Sequence, residues 1–132
     1  MVLDAITRTV SIDAPVAKVF DFLANAQNWP KWAIVNVKSI APDEDGWSRM
    51  ETPVGSAKLR IRPDAAFGIL DHDFNAPDAS WTVPARVLPN GSGSEFLITF
   101  YRPPNFIKQF FTQQIAQVDN ELAQLKGLME AA

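Results

Sequence analysis

The chain has 132 residues, of which 47% are hydrophobic and 20% are charged, and its net charge at pH 7 is -3. This length allows one domain with its own core and is too short for two. The negative charge gives no general attraction to phosphate backbones, so nucleic-acid binding is not expected. The sequence contains no cysteine, which excludes disulfides, zinc-thiolate sites and thiol nucleophiles.

The amino-terminal sequence MVLDAITRTV has neither the basic segment nor the apolar segment of a secretory signal peptide. No apolar run approaches the roughly 20 residues that a membrane-spanning helix requires. We therefore expect a soluble, cytoplasmic protein in which residues 1–132 form a single domain.

The first predicted elements are a strand and two short helices. Residues 5–12 alternate between polar and apolar side chains, as strands do. Pro15 is suited to the first turn of a helix, and apolar residues follow it at helical spacing until Asn25 weakens the pattern. A second short helix or turn is predicted around residues 26–32.

Residues 33–102 predict six antiparallel strands separated by turn residues. The predicted strands are AIVNVKSI, WSRMET, AKLRIR, AFGILDHDF, SWTVPARVL and EFLITFYR. The Asn90-Gly91 pair is typical of a two-residue hairpin turn, because both residues tolerate positive φ. Counted outward from that turn, the register places three apolar pairs on one face: Ala85 with Phe96, Val83 with Ile98, and Trp81 with Phe100. On the other face it places Arg86 opposite Glu95.

The last predicted element is a long amphipathic helix that begins at Pro103 and Pro104. Its apolar stripe has Phe110 and Leu128 along one edge and consists of Ile107, Phe111, Ile115, Val118, Leu122, Leu125 and Met129. A sheet with one apolar face needs a cover, and only this helix is long enough to supply it. The order of elements predicts an α+β fold in which a curved, seven-stranded antiparallel sheet wraps around the carboxy-terminal helix. Two short helices lie between strands 1 and 2, and a cavity can remain between sheet and helix.

Four segments resemble a known family. The opening SIDAPVAKVFDFLANAQNWPKW is similar to the start of the SRPBCC superfamily, which includes the START-related lipid carriers and the polyketide cyclase/dehydrase-like proteins. The segments GILDHDF, VPARVLPNGSGSEFLITFYRPP and QVDNELAQLKGLME resemble its small bacterial members. The resemblance implies the helix-grip fold of the birch-pollen allergen group. It also implies that a hydrophobic small molecule is bound or transformed between the sheet and the long helix.

His72, the only histidine, lies between Asp71 and Asp73 in the sequence. Because side chains alternate along a strand, Leu70, His72 and Phe74 share one face, and the two aspartates point to the other. This alternation excludes a metal triad from the strand. If the histidine faces the cavity, it can orient a ligand oxygen or act as a general acid or base. The alternative is a partly buried histidine that the protein itself satisfies, which is the usual state of buried polar groups.

The charged residues of the strands are interpreted as solvated outer surface. Asp71 and Asp73 share one strand face, and Lys58, Arg60 and Arg62 line one face of the preceding strand. This basic face is expected to have no aromatic residues. Proteins that bind single-stranded nucleic acid place aromatic and basic residues side by side, so the pattern does not favour that function.

The roles of two aromatic groups are open. Trp29 and Trp32 are suited either to the rim of a pocket mouth or to a plug for one end of the core. Phe106 lies off the stripe of the long helix, so its exposure would indicate a ligand entrance or a contact between copies of the chain. A homodimer is therefore one predicted partner state.

The leading hypothesis is a protein that binds a hydrophobic small molecule, lipid-like or polycyclic, in the cavity, with His72 orienting a ligand oxygen. The predicted ligand-binding residues are Leu59, Leu70, His72, Phe74, Trp81, Val83, Ile98, Phe111, Ile115 and Val118. The second hypothesis is a cyclase or dehydratase in which His72, the only catalytic candidate, moves a proton. A third is a protein-interaction domain, as in the chaperone-ATPase activators of the superfamily. No cofactor or metal is predicted.

Overall fold

A computed structural model describes residues 1–131, which contain eight strands and three α-helices. The strands are β1 (Ala5–Ile12), β2 (Ser39–Pro42), β3 (Ser48–Thr52), β4 (Gly55–Asp64), β5 (Ile69–Ala76), β6 (Ala79–Val83), β7 (Ala85–Asn90) and β8 (Gly93–Tyr101). The helices are α1 (Val16–Ala24), α2 (Trp29–Trp32) and α3 (Lys108–Glu130), with a 3-10 turn at Ala26–Asn28 before α2. The predicted α+β fold, with two short helices after the first strand and one long carboxy-terminal helix, is confirmed.

The strands form one antiparallel sheet in the order β1-β8-β7-β5-β4-β3-β2, and β6 pairs with β5 beside this path. The sequence predicted one strand over SWTVPARVL, but Pro84 divides it into β6 and β7. Proline has no N–H to donate to a strand ladder, which explains the break. After the break β7 pairs mainly with β8, and the sheet has eight strands where seven were predicted.

The predicted register of the last hairpin is wrong by two residues. Asn90 pairs with Gly93, so the loop is Gly91 and Ser92. Gly91 has a φ of 57°, and glycine is favoured at the first loop position because it adopts positive φ without strain. A shift of two keeps every side chain on its predicted face but changes its partners. The observed partners are Ala85 with Ile98, Val87 with Phe96, Arg86 with Leu97, Leu88 with Glu95, Val83 with His72, and Trp81 with Phe74.

Residues 33–38, predicted as part of a strand, instead form a turn, and β2 begins only at Ser39. The turn is held by Glu121 of α3, whose carboxylate accepts hydrogen bonds from the backbone N–H groups of Val35 and Asn36 at 3.0 Å each. The same carboxylate accepts a bond of 2.8 Å from Nδ2 of Asn36. Backbone groups that bond to a side chain are not available to a strand ladder, so the turn replaces the predicted strand.

Helix α3 lies along β1 and against α2. Arg8 forms an ion pair of 2.8 Å with Asp119, and Lys126 donates to the backbone oxygen of Ser11. The helix begins at Lys108, several residues after the predicted start, because Pro103 first opens a turn that Phe106 closes. Within residues 1–131, no helix combines the length and apolar character needed to cross a bilayer.

The predicted apolar stripe of α3 is buried except at its amino-terminal end. Ile107 is 68% exposed and Phe110 is 45% exposed. The buried members are Phe111, Ile115, Val118, Leu122, Leu125 and Met129. Val118 and the members after it join the continuous core, which also contains residues of α1, α2 and most strands. Phe111 and Ile115 are buried but lie outside that continuous cluster.

Candidate functional site

His72 lies on the inner face of β5 and is only 2% exposed. Its neighbours in the sheet are Ile61 of β4 and Val83 of β6. As the alternation of the strand predicts, Asp71 and Asp73 point to the opposite face. There Asp71 accepts a hydrogen bond from the backbone N–H of Ala85, and Asp73 accepts one from Arg62. Neither aspartate therefore touches the imidazole. Within residues 1–131, no three metal-ligating side chains converge.

The protonation state of His72 follows from its burial and its one hydrogen bond. Nδ1 lies 3.0 Å from the backbone oxygen of Leu70. A carbonyl oxygen only accepts, so in the neutral ring Nδ1 carries the proton and Nε2 is left as an acceptor. Burial lowers the pKa of His72, whereas the bond to Leu70 and the nearby aspartates raise it. The effect of burial is the largest, and the resulting pKa is about 4. The ring is therefore neutral at pH 7.

Six rings form a continuous series that we call the aromatic row: Phe96, Trp32, Trp29, His72, Phe74 and Trp81. The ring centroids of successive members are 6.4, 5.0, 4.8, 5.4 and 5.3 Å apart. The first four contacts are edge-to-face, and the rings of Phe74 and Trp81 are stacked. One end, Phe96, is buried in the core, whereas the other end, Trp81, is 45% exposed. The row therefore connects the interior of the sheet with solvent.

Trp29 and Trp32 supply the part of the row that comes from α2. Both are buried, so of the two predicted roles they act as a plug and not as an exposed rim. Trp29 donates through Nε1 to the backbone oxygen of Leu23 at 2.9 Å. Nε1 of Trp32 is buried and has no hydrogen-bond partner within residues 1–131. A buried donor without a partner is costly, and such a group is a candidate contact for a ligand.

The ten predicted ligand-binding residues fall into three groups. Those in or packed against the continuous core are Leu59, Leu70, Phe74, Val83, Ile98 and Val118, and His72 is buried beside them. Phe111 and Ile115 are buried outside that cluster, and Trp81 is largely exposed. The structure pairs Leu59 with Phe74, Phe74 with Trp81, and Val83 with His72 across adjacent strands. The sequence had missed that α2, through Trp29, supplies the ring against His72.

The outer face of β5 is not the simply solvated surface that the sequence predicted. Asp73 accepts hydrogen bonds from Arg60, Arg62 and Thr82. The bond from Arg62 is the largest of the effects that lower the pKa of Asp73 to about 2. The interpretation of this face as lacking aromatic residues is also wrong, because the guanidinium of Arg60 lies 4.6 Å from the ring centroid of Trp47. Trp47 belongs to the loop before β3, so the pattern of β4 alone did not reveal it.

Glu121 is a buried carboxylate that the sequence interpretation missed. It is 3% exposed, and burial raises its pKa despite the hydrogen bonds from Asn36 and Val35. The sequence contained a signal for this burial, because Glu121 lies between Val118 and Leu122 on the apolar face of α3. Its carboxylate fastens α3 to the turn that follows α2 and so fixes the position of the two buried tryptophans.

Phe106 is half-buried, and its ring centroid lies 5.4 Å from that of exposed Phe110. Exposed Ile107 completes an apolar surface at the start of α3. The homodimer stays a prediction.

Residues 4–130 match the model of the protein family described as "Polyketide cyclase / dehydrase and lipid transport". The chain belongs to this family. The predicted membership in the SRPBCC superfamily is thereby confirmed. A comparison with curated proteins gives no match.

Solved structures are similar in fold at low sequence identity. Ara h 8.0201 has a TM-score of 0.69 at 14% identity, over 97% of this chain and 98% of that chain. The Aha1 dimer from Colwellia psychrerythraea has a TM-score of 0.75 at 14% identity, over 98% and 97% of the two chains. The di-domain ARO/CYC protein BexL from the BE-7585A biosynthetic pathway has a TM-score of 0.75 at 19% identity, over 95% of this chain and 46% of that chain. At these identities the likeness shows the fold alone.

Proposed function

We propose that this protein binds a hydrophobic small molecule with a flat ring system in the space between the sheet and the helices. The observation that carries the proposal is the aromatic row, which leads from the exposed ring of Trp81 through Phe74 to the buried ring of His72. Flat rings pack favourably against aromatic faces and edges. A ring-containing or lipid-like ligand also agrees with the description of the family, which joins polyketide cyclases and dehydrases with lipid transport.

The wall of this site is proposed to combine the aromatic row with aliphatic side chains of the sheet and of α3. The aliphatic residues of the sheet lie around His72, and those proposed from α3 belong to the first half of the helix. The proposed wall residues are Leu59, Leu70, His72, Phe74, Trp81, Val83, Ile98, Phe111, Ile115 and Val118, with Trp29 and Trp32 added from α2.

Two polar atoms define which ligand the site accepts. Nε2 of neutral His72 is an acceptor, because Nδ1 already donates to Leu70. Nε1 of Trp32 is a donor without a partner in the described residues. A hydroxyl group can donate to the imidazole or accept from the indole, whereas a hydrocarbon satisfies neither. The site therefore favours hydroxylated rings over unsubstituted ones.

The ring of Trp29 packs edge-on against His72, with 4.8 Å between the centroids. A ligand that packs against this side of His72 has to displace the ring of Trp29. Binding should therefore change the environment of Trp29, which can be detected by tryptophan fluorescence and by NMR of the indole N–H.

A cyclase or dehydratase reaction is the alternative function that the family description includes. It requires His72 to give or take a proton during turnover. With a pKa lowered to about 4, the imidazole is uncharged at pH 7, so it has no second proton to donate and is a weak base. Its one N–H is already used in the bond to Leu70. The same neutral ring is well suited to accept a hydrogen bond. The protonation state thus favours an anchor over a proton-transfer catalyst.

The test compares two ring compounds that differ in one hydroxyl, 2-naphthol and naphthalene, by isothermal titration calorimetry. We expect His72→Phe, which keeps the aromatic packing and removes the acceptor, to weaken 2-naphthol binding about fivefold, the size of one neutral hydrogen bond. Naphthalene binding should not change. Failure of both compounds to bind the wild-type protein, or an equal loss for both in the variant, would contradict the proposal. Native mass spectrometry of the protein as purified then identifies the natural ligand.

A further inference from the structure

The outer face of the sheet carries a groove of about 530 Å³, a size in the range of small-molecule sites. We call it the outer groove, and the residues that matter in its lining are Trp47, Arg60, Arg62, Asp73, Asn75 and Trp81. Arg60, Arg62 and Asp73 lie on the face of β4 and β5 opposite to His72, whereas Trp81 and Phe74, which also line the groove, belong to the aromatic row. The groove therefore adjoins the interior site at the exposed end of the row and differs from it in its charged side chains.

The only carboxylate in the lining of this groove is already saturated. Oδ2 of Asp73 accepts from Arg60 at 3.1 Å and from Arg62 at 2.9 Å, and Oδ1 accepts from Arg62 at 3.0 Å and from Thr82 at 2.6 Å. A carboxylate has about four acceptor positions, and all of them are used. Asp73 therefore holds the two arginines in place and offers nothing further to a ligand.

The arginines, in contrast, retain donors. Arg60 uses only Nη2 in the ion pair, and its Nε is buried without a partner within residues 1–131. Arg62 uses Nε and Nη2, which leaves its Nη1 without a side-chain partner in the same part of the chain. Two guanidinium groups and one carboxylate line the groove, and a second carboxylate, that of Asp71, lies on the same face as the cross-strand partner of Arg62. Unused guanidinium donors are the feature that suits this groove to an anion, because they form charge-assisted hydrogen bonds.

Aromatic surface lies next to these donors. The guanidinium of Arg60 is fixed over Trp47, with 4.6 Å between Cζ and the ring centroid. Trp81, which also lines the groove, is 45% exposed. An inorganic anion would use the arginines and leave the indole surfaces in water, whereas a planar ring attached to the anionic group would cover them.

We propose that the outer groove is a second binding site, specific for a planar aromatic carboxylate. The carboxylate accepts from the unused N–H groups of Arg60 and Arg62, and the ring packs against Trp47 and Trp81. This ligand class carries a full negative charge, which the interior site around neutral His72 disfavours because it would bury that charge.

The test is a titration of the 15N-labelled protein with 2-naphthoate, followed through the indole N–H signals of the four tryptophans. The control compound is 2-naphthamide, which has the same shape and no charge. We expect 2-naphthoate to shift the signals of Trp47 and Trp81 and to leave those of Trp29 and Trp32 in place. Arg60→Gln should weaken 2-naphthoate about fivefold, as expected for loss of a charge-assisted bond at a partly exposed site. The matched control is Arg8→Gln, because Arg8 is also ion-paired with an aspartate and its side chain is 39% exposed against 41% for Arg60.

Three results would overturn the outer groove as a site for aromatic carboxylates. The first is equal affinity for 2-naphthoate and 2-naphthamide, because the positive charge would then have no role. The second is a response confined to Trp29 and Trp32, which would move the compound to the interior. The third is an equal loss of affinity in Arg60→Gln and Arg8→Gln, which would make the effect one of overall charge. The unchanged signals of Trp29 and Trp32 also verify that each variant is folded.

Discussion

His72 and Asp73 are adjacent in β5 but belong to opposite faces of the sheet, and their pKa values are both lowered for different reasons. On the inner face, burial among aromatic rings lowers the pKa of His72 to about 4 and keeps the ring uncharged at pH 7. On the outer face, hydrogen bonds led by that from Arg62 lower the pKa of Asp73 to about 2 and keep the carboxylate charged. The same direction of shift thus produces a neutral interior and an ionised exterior one residue apart.

This difference explains why the two faces are suited to different ligands. The inner face offers rings, one neutral acceptor and one unpaired indole donor, which together favour an uncharged hydroxylated ring. The outer face offers two guanidinium groups whose shared carboxylate is saturated. The alternation of side chains along β5 therefore gives the two proposed sites different chemistry, apolar on the inner face and cationic on the outer face.

The largest expected loss of stability is that of a buried tryptophan on the inner face, and a tryptophan on the outer face is the comparison. Trp29→Ala should lower the free energy of unfolding by about 3 to 5 kcal/mol, because it removes a buried ring that packs on both Trp32 and His72. Trp47→Ala should lower it by about 1 kcal/mol or less, because Trp47 is only partly buried and contributes chiefly through its contact with Arg60. Urea unfolding of both variants measures the difference. Equal losses would contradict the division into a packed inner face and an open outer face.

A smaller effect is expected from acid titration of the inner face. The pKa of His72 is about 4 in the folded chain and near 6.5 in the unfolded chain. Between these two values the unfolded chain binds a proton that the folded chain does not, so stability falls as the pH falls from 6.5 to 4. The loss that this residue causes should approach about 3 kcal/mol.

His72→Phe is the control for this pH dependence, since other groups titrate equally in both proteins. The free energy of unfolding of the wild type minus that of the variant should decrease as the pH falls through this window. A difference that stays constant between pH 6.5 and 4 would show that His72 is not held neutral by burial.

The smallest effect is expected on the outer face. Asp73→Asn should lower the free energy of unfolding by about 1 kcal/mol at pH 7, a modest value because the side chains of Arg60 and Arg62 are 41% and 48% exposed. The folded pKa of Asp73 is depressed, so its contribution is present above pH 4 and is lost as the pH falls toward 2. Chemical unfolding at pH 7 and near pH 2.5 tests this, and the variant should approach the wild type at the lower pH. A penalty that persists at low pH would exclude the ion pairs as its cause.

The sequence predicted those features that depend on local pattern. Alternation along β5 separated His72 from the two aspartates, and the stripe of α3 identified the helix that closes the core. The predicted order of elements was confirmed, because turn residues and helix starts mark the element boundaries in the sequence. The predicted family was confirmed as well.

The features that depend on contacts between distant residues could not be predicted in this way. The turn at residues 33–38 forms because Glu121, far away in sequence, binds its backbone. The ring over His72 comes from Trp29 of α2, and the aromatic partner of Arg60 comes from the loop before β3. The register error in the last hairpin has a local cause, since Asn90-Gly91 and Gly91-Ser92 are both acceptable turns and only pairing across the sheet distinguishes them.

The central claim, that the aromatic row is a ligand site, is tested most directly by the indole N–H signals of the four tryptophans during titration with 2-naphthol. Three of the four belong to the row, and Trp47 lies on the outer face. We predict that the signals of Trp81, Trp29 and Trp32 shift together and saturate, while that of Trp47 stays in place. A shift of Trp47 alone, or no shift at any tryptophan, would contradict the claim.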